Sequence, residues 1–169
     1  MSLDKILRIG VSKIISELFY YDKNKSRQNF TSGDILHYRL GFIGDELYCR
    51  FMYLDDYIVK ICGSPDRISY ENGKLYVDEL KTVNSKSYID FARKVAYVQL
   101  QFYMFLTGIR DGRIYIYIKP EDKLILDSVV QYDENFVVSV LKAYLNLINQ
   151  KKQVVNNYDI NSFTKKNRK

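Results

Sequence analysis

The sequence predicts a mixed α/β fold built as one domain, and three observations support this prediction. The chain has 169 residues, and single domains usually run to about 100–200 residues. Apolar residues recur with a helical period in some segments and with a period of two in others. Hydrophobic residues make up 47% and charged residues 27% of the chain, which is typical of a protein that buries a core. The composition therefore excludes a disordered or fibrous protein.

The predicted elements alternate in the order ααβββ(β)αββα. They are helices over residues 11–21 and about 31–41, strands over 47–53, 57–62, 66–70 and 74–83, a long helix over 87–107, strands over 113–118 and 123–130, and a final helix over 133–149. The first helix has apolar residues at helical spacing after Ser12 as its N-cap. Asn72-Gly73 supplies the positive φ angles of a tight hairpin turn. The long helix contains neither glycine nor proline until Gly108 ends it.

Positive charge is concentrated at the C-terminal end. The formal net charge is +6, and residues 151–169 carry six cations against Asp159 alone, a net of +5. We therefore expect one domain over 1–150 and a basic tail over 151–169. A cationic tail attracts nucleic acid, an acidic protein or anionic lipid without distinguishing between them.

The sequence also restricts where the protein works and what it binds. No apolar run approaches the ~20 residues of a membrane span, and the N-terminus does not resemble a cleavable signal. We expect a cytoplasmic protein that does not bind membranes. Two cysteines, Cys49 and Cys62, are too few for a zinc ribbon or an iron–sulfur cluster. The sequence does not exclude a disulfide bond between them.

Two acidic residues and a lysine are predicted to lie close together on the hairpin. Glu79 and Lys81 lie on one face of a strand because side chains alternate with a period of two. Asp66 begins the other arm and can lie beside them across the turn. Two carboxylates gathered together favour a hard divalent cation, and a nearby ammonium suits a phosphate or a water molecule. The alternative is a solvent-exposed hairpin with ordinary surface charges, and the spacing alone does not decide between them.

Four motifs occur in an order that resembles a known family. They are Gly33-x-x-x-His37 on the second helix, Gly63-Ser64-Pro65-Asp66, Glu79-Leu80-Lys81, and Gln99-Leu100-Gln101-Phe102-Tyr103 on the long helix. In this order they resemble the PD-(D/E)XK nuclease superfamily. Within it they resemble the RecB-like branch, which includes CRISPR-associated exonucleases and relatives in archaeal viruses. The resemblance implies a restriction-endonuclease-like αβββαβ core, with a mixed central sheet flanked by helices.

The resemblance also implies roles for individual residues. His37, Asp66 and Glu79 match metal ligands, together with the backbone carbonyl of Leu80. Lys81 matches the residue that positions or activates the hydrolytic water. Gln99 and Tyr103, one helical turn apart, match a pair that orients the site and the nucleic-acid strand. The catalytic set is thus Asp66, Glu79, Lys81, Gln99 and Tyr103.

One feature departs from the family. Many CRISPR-associated members bind an iron–sulfur cluster through four cysteines, whereas this chain has two, both in predicted strands. We expect no cluster here.

The resulting hypothesis is a Mg²⁺- or Mn²⁺-dependent deoxyribonuclease, exonuclease-like on DNA ends or single strands. Phosphate contacts are expected from Arg93, Lys94, Lys151 and Lys152. Homo-oligomerisation is left open. The alternative hypothesis is a catalytically silent module of the same fold that binds DNA or a protein partner, for example in viral counter-defence.

Overall fold

The computed structural model describes the backbone of residues 6–19, 31–44 and 46–166, and the side chains of residues 6–19, 35–44 and 46–152. Its elements are β1 (Ile6–Gly10), α1 (Val11–Phe19), α2 (Thr31–Arg39), β2 (Tyr48–Leu54), β3 (Tyr57–Gly63), β4 (Arg67–Glu71), β5 (Lys74–Val83), α3 (Ile89–Thr107), β6 (Asp111–Ile118), β7 (Lys123–Gln131) and α4 (Glu134–Lys166). Short 3₁₀ turns precede α3 and β7.

The strands form two mixed sheets flanked by helices. A three-stranded sheet has the order β1-β3-β2, and a four-stranded sheet has the order β4-β5-β6-β7. The pairs β1/β3 and β5/β6 are parallel, whereas the other neighbours are antiparallel. This architecture confirms the predicted fold class, with its strands divided between two sheets.

The core lies where the long helix α3 contacts both sheets. Helix α3 packs on β5 and β6 of the larger sheet and on β2 and β3 of the smaller one. The close packing on β6 requires Gly112, because a β-carbon there would lie 2.9 Å from the side chain of Leu100. Helices α1 and α4 cover other sides of α3. Helix α3 thus lies between the two sheets and joins them in one core.

The turn and helix-end signals of the sequence are confirmed. Asn72 and Gly73 have φ angles of 50° and 79° in the β4–β5 turn, as a tight hairpin requires. Gly108 ends α3 in the left-handed conformation with φ of 75°. Helix α2 is followed by Gly41 with φ of 81°.

Two elements differ from the prediction. Strand β1 was not predicted, because it has only five residues and is defined by its parallel pairing with β3, which is distant in sequence. Helix α4 continues to Lys166, beyond the predicted end at residue 149. No glycine or proline follows Pro120, so the sequence contains no strong helix terminator in this region. Residues 167–169 and the side chains of residues 153–166, including most of the predicted basic tail, lie outside the described part.

The two cysteines form a disulfide between neighbouring strands. Cys49 on β2 lies directly opposite Cys62 on β3 in the antiparallel register, and their Cα atoms are 4.2 Å apart. The bridge that the sequence left open is therefore present. Among the described residues, no helix is both long and apolar enough to cross a membrane.

Candidate active site

Asp66 lies immediately before β4 and is held by groups from two other elements. Its Oδ2 accepts a hydrogen bond from the backbone N–H of Leu80 at 2.8 Å, and its Oδ1 lies 3.6 Å from Nδ1 of His37 on α2. Burial acts to raise the pKa of Asp66, but the contacts with His37 and the Leu80 N–H and the charge of Lys81 outweigh it, so the pKa falls below its ordinary value. Asp66 is therefore an ionised carboxylate at neutral pH.

Glu79 and Lys81 occupy the same face of β5, as their spacing predicts. Lys81 Nζ donates to Glu79 Oε1 at 2.8 Å, and the Glu79 side chain is only 2% exposed. Burial and the nearby charge of Asp66 raise the pKa of Glu79 to about 8, although Lys81 opposes this shift. Two carboxylates and an ammonium thus converge at the centre of β5.

Gln99 and Tyr103 reach the same place from α3. The pKa of the buried Tyr103 is raised by burial and by the charges of Glu79 and Asp66, whereas a hydrogen bond with Gln99 acts in the opposite direction. Tyr103 also packs against β3, where a β-carbon on Gly63 would lie 2.9 Å from Cε1 of its ring. The structure therefore brings both predicted helix residues to the carboxylates.

Two buried oxygen atoms at this site have no hydrogen-bond partner. They are Oε2 of Glu79 and Oε1 of Gln99. A buried acceptor without a donor costs about 1–3 kcal/mol. Oxygen atoms of this type are the ligands that Mg²⁺ and Mn²⁺ prefer. The donor set therefore fits a hard divalent cation.

In the described part of the chain, the predicted ligands His37, Asp66 and Glu79 are not arranged as a complete metal site. Among residues with described side chains, no three His, Cys, Asp or Glu groups are placed to hold one ion. His37 contacts Asp66, and Asp66 acts electrostatically on Glu79. Mg²⁺ usually takes one or two protein carboxylates and completes its shell with water and phosphate, so the fit does not need three. The ligand roles of His37 and of the Leu80 carbonyl stay predictions.

The predicted phosphate-contacting cations are exposed or have carboxylate partners. Arg93 binds Asp127 through two hydrogen bonds of 2.7 and 2.8 Å and Asp90 through a third of 2.8 Å. A phosphate would have to compete with these carboxylates. Lys94 is exposed on α3, Lys152 is exposed on α4, and Lys151 pairs with Glu17.

Two glycines, Gly44 and Gly63, shape the site but were not predicted to do so. A β-carbon on Gly44 would lie 2.5 Å from the carbonyl oxygen of Pro65 and 3.3 Å from Cα of Asp66. The segment after α2 therefore packs directly on the Asp66 backbone, and Gly63 similarly admits the ring of Tyr103. Gly63 was quoted only as part of a motif, and neither contact has a signal in the sequence, because both join segments distant along the chain.

A second buried carboxylate network supports the hairpin from the opposite face. Asp78 is fully buried and accepts hydrogen bonds from Arg67 on β4 and from Arg113 on β6, each at 2.8 Å. Ser69 on β4 donates to it as well. These bonds join β4, β5 and β6, so they hold the strand that carries Glu79 and Lys81 in register.

Comparison with solved structures identifies the fold. The chain resembles the crystal structure of SSO0001 with a TM-score of 0.63 at 21% identity, covering 84% of this chain and 76% of that one. It resembles a phage-related exonuclease from Haemophilus somnus 129PT with a TM-score of 0.50 at 14% identity, covering 88% and 82%. It also resembles LHK-Exo, the alkaline exonuclease of Laribacter hongkongensis, in complex with dAMP, with a TM-score of 0.50 at 10% identity, covering 92% and 93%.

The sequence matches no protein-family model and no curated protein at a significant level. The likeness to solved structures therefore concerns the fold. This chain has the mixed α/β fold of phage and alkaline exonucleases.

Proposed function

We propose that the protein is a metal-dependent deoxyribonuclease that hydrolyses phosphodiester bonds. The observation that carries this proposal is the convergence of Asp66, Glu79 and Lys81 around a buried carboxylate oxygen that has no donor. A protein that needed these groups only for stability would pair that oxygen, since leaving it unpaired is destabilising. A cation bound at the site would satisfy this oxygen, and this supports the proposal.

The fold and the motif order support the same proposal. The structures that this chain resembles include two exonucleases, and one of them is a complex with dAMP. The motifs at His37, Asp66, Glu79 and Gln99 occur in the order of the PD-(D/E)XK superfamily, and on this basis we propose membership of its RecB-like branch. We propose exonuclease-like action on DNA ends or single strands, with Mg²⁺ or Mn²⁺ as the cofactor.

The carboxylates of Glu79 and Asp66 would hold the cation. His37 and the carbonyl of Leu80 are further proposed ligands. When bound, such a cation supplies a Lewis acid that stabilises the charge developing on the phosphate and makes water more acidic. The Leu80 N–H fixes the orientation of Asp66 independently of the metal.

Lys81 is the group best placed to act on the reacting atoms. Its Nζ is anchored by Glu79 at 2.8 Å, while part of its side chain reaches solvent. From there the ammonium can donate to the attacking water or to a phosphate oxygen, and so orient one and stabilise charge on the other. Tyr103 is neutral at neutral pH because its pKa is raised, so it acts as a hydrogen-bond donor and not as a base.

The test is cleavage of end-labelled single- and double-stranded DNA in Mg²⁺, Mn²⁺ or EDTA. We compare the wild type with Glu79→Gln, which keeps the shape of the side chain but removes its charge. Glu121→Gln is the matched control, because Glu121 lies in a surface turn where it pairs with Lys86. We expect metal-dependent cleavage by the wild type and the control and none by Glu79→Gln.

Two outcomes would overturn this proposal. Metal-dependent cleavage retained in Glu79→Gln would place the active site elsewhere. DNA binding without cleavage in any metal would favour the catalytically silent binding module instead.

A further inference from the structure

A second surface of the molecule carries features of a ligand site. It is the outer face of the sheet β1-β3-β2, and we call it the aromatic face. Side chains alternate along each strand, so one set points at the helices and the other away from them. The outward set consists of Ile6 and Arg8 on β1, Ile58 and Lys60 on β3, and Phe51 and Tyr53 on β2, with the Cys49–Cys62 disulfide at one end.

The aromatic face is exposed although it is rich in rings. Phe51 is 54% exposed and Tyr53 is 77% exposed. The inward set of the same strands, including Met52, Val59 and Ile61, is buried in the core. Helices α1 and α3 contact this sheet, whereas the rings on the outer side face solvent. Large exposed apolar side chains in a contiguous patch mark interaction sites.

The charge on the aromatic face has a single sign. Arg8 and Lys60 lie opposite each other in the β1/β3 register, and Phe51 lies opposite Lys60 in the β2/β3 register. Lys60 Nζ sits 5.8 Å from the centre of the Phe51 ring. No described carboxylate belongs to the outward set, and the nearest acidic positions in sequence, Asp55 and Asp56, are in the turn beyond Tyr53. The face therefore presents cations beside rings, which is complementary to an anionic ligand that also has flat apolar surfaces.

We propose that the aromatic face binds single-stranded DNA, with bases stacked on Phe51 and Tyr53 and phosphates contacted by Lys60 and Arg8. Sheet surfaces bind unpaired nucleic acid by this combination, because every base has a face that can stack on a ring. A duplex keeps those faces stacked within itself, so the rings favour a single strand. A flat acidic protein surface would pair with the cations but would offer no flat apolar groups to stack on the rings.

The aromatic face is separate from the candidate active site but close to it along the chain. The chain runs from Lys60 on β3 through Gly63, the last residue of that strand, to Asp66, six residues after Lys60, which is at most about 22 Å of extended chain. A strand bound on the face could therefore extend towards the catalytic carboxylates. The choice of DNA over RNA rests on the proposed function, whereas the face itself does not.

The experiment measures binding without cleavage. Fluorescence anisotropy in EDTA reports the affinity of the full chain for a labelled oligothymidylate, for a duplex of the same length, and for an abasic oligonucleotide of the same length. The wild type is compared with Phe51→Ala/Tyr53→Ala, and with Tyr88→Ala as a matched control. Tyr88 is 60% exposed but lies in the short turn before α3. Thermal unfolding verifies that each variant is folded.

We expect the wild type to bind oligothymidylate more tightly than the duplex or the abasic strand. Stacking contributes roughly 1–3 kcal/mol per base, so the double variant should bind at least about 30-fold more weakly. The Tyr88→Ala control should bind like the wild type. The variant Lys60→Gln should reduce the slope of log affinity against log salt by about 0.7, the value for one phosphate contact with a single strand.

The outcomes separate this inference from the proposed nuclease function. Equal affinity of the folded double variant and the wild type would overturn the inference, whatever the cleavage assay shows. Equal affinity of the wild type for the abasic strand and the oligothymidylate would also overturn it. A wild-type dimer that the double variant converts to a monomer, with DNA binding unchanged, would instead assign the face to a second copy of the chain. Loss of cleavage in Glu79→Gln has no bearing on any of these results.

Discussion

Replacing Glu79 by glutamine should stabilise the metal-free protein while it abolishes metal binding. The Glu79 carboxyl group is 2% exposed, and its Oε2 has no hydrogen-bond partner. Glutamine has nearly the same shape and no charge, and its amide oxygen can still accept the hydrogen bond from Lys81. The substitution therefore removes a buried acidic group without creating a cavity.

The size of the effect follows from the pKa of Glu79, which is raised from 4.5 to about 8. In the unfolded chain the group ionises freely at pH 7, whereas in the folded metal-free protein it is mostly protonated. By linkage this favours the unfolded state by about 3 kcal/mol at pH 7. Glutamine does not titrate, so the variant should be more stable than the wild type by about that amount.

The raised pKa also determines how the stability difference between Glu79→Gln and the wild type changes with pH. Because the folded pKa of Glu79 is above the unfolded value, its favourable contribution is complete below pH 4.5 and is lost as the pH rises through about 8. The stability difference between Glu79→Gln and the wild type should therefore be under about 1 kcal/mol at pH 5, grow towards pH 7 and level off above pH 8.

The assay is urea unfolding in EDTA at pH 5, 7 and 8, followed by circular dichroism, and repeated with Mn²⁺. A ligand at 100 times its Kd stabilises a protein by about 2.7 kcal/mol, and we expect this stabilisation in the wild type only. A Glu79→Gln protein that is less stable than the wild type in EDTA would refute the reasoning. A stability difference that does not change with pH would refute it as well.

Three further predictions concern residues around the site. Gly44→Ala should cost about 1–3 kcal/mol of stability and slow cleavage, because the new β-carbon would lie 2.5 Å from the backbone oxygen of Pro65. Cys49→Ser should lower the stability measured in urea by about 1–3 kcal/mol, because the disulfide closes a short loop in the unfolded chain. In Asp127→Asn, Arg93 loses its main partner. The pKa of Asp127 is lowered chiefly by its hydrogen bond with Arg93. The thermal stability that this pair contributes to the wild type is therefore present above the unfolded pKa of Asp127 and should be lost as the pH falls through the folded pKa.

Controls for these predictions come from the same chain. Gly10→Ala should be tolerated, because its β-carbon would meet only Ser12 Oγ, at 3.7 Å. Reduction of the wild type by dithiothreitol should reproduce the effect of Cys49→Ser, and an unchanged urea midpoint would contradict that prediction. For Asp127→Asn, a difference in melting temperature from the wild type that stays constant between pH 3 and pH 7 would contradict the assigned role.

Much of the fold could be predicted from local sequence patterns. The Asn72-Gly73 turn, the end of α3 at Gly108 and the period-two strand carrying Glu79 and Lys81 each depend on residues that are neighbours along the chain. Backbone sterics and side-chain alternation act over a few residues, so their signals are complete in the sequence. For the same reason, the one-turn spacing of Gln99 and Tyr103 predicted that they share a helix face.

Other features required the tertiary structure. Strand β1 exists through its parallel pairing with β3, which is distant along the chain. Arg93 binds Asp127, which is 34 residues away, so this partner could not be predicted from the residues near the start of α3.

Some features of the candidate site were likewise determined by the sequence, and others only by the tertiary structure. The sequence by itself determined which residue types were available at Asp66, Glu79 and Lys81 and that two of them share a strand face. Only the tertiary structure decided that Glu79 is buried with an unpaired oxygen and that Gly44 and Gly63 let a loop and a ring approach the site. Burial and close approach arise between segments that are distant in the chain, and desolvation depends on all the atoms around a group. No pattern of neighbouring residues contains that information.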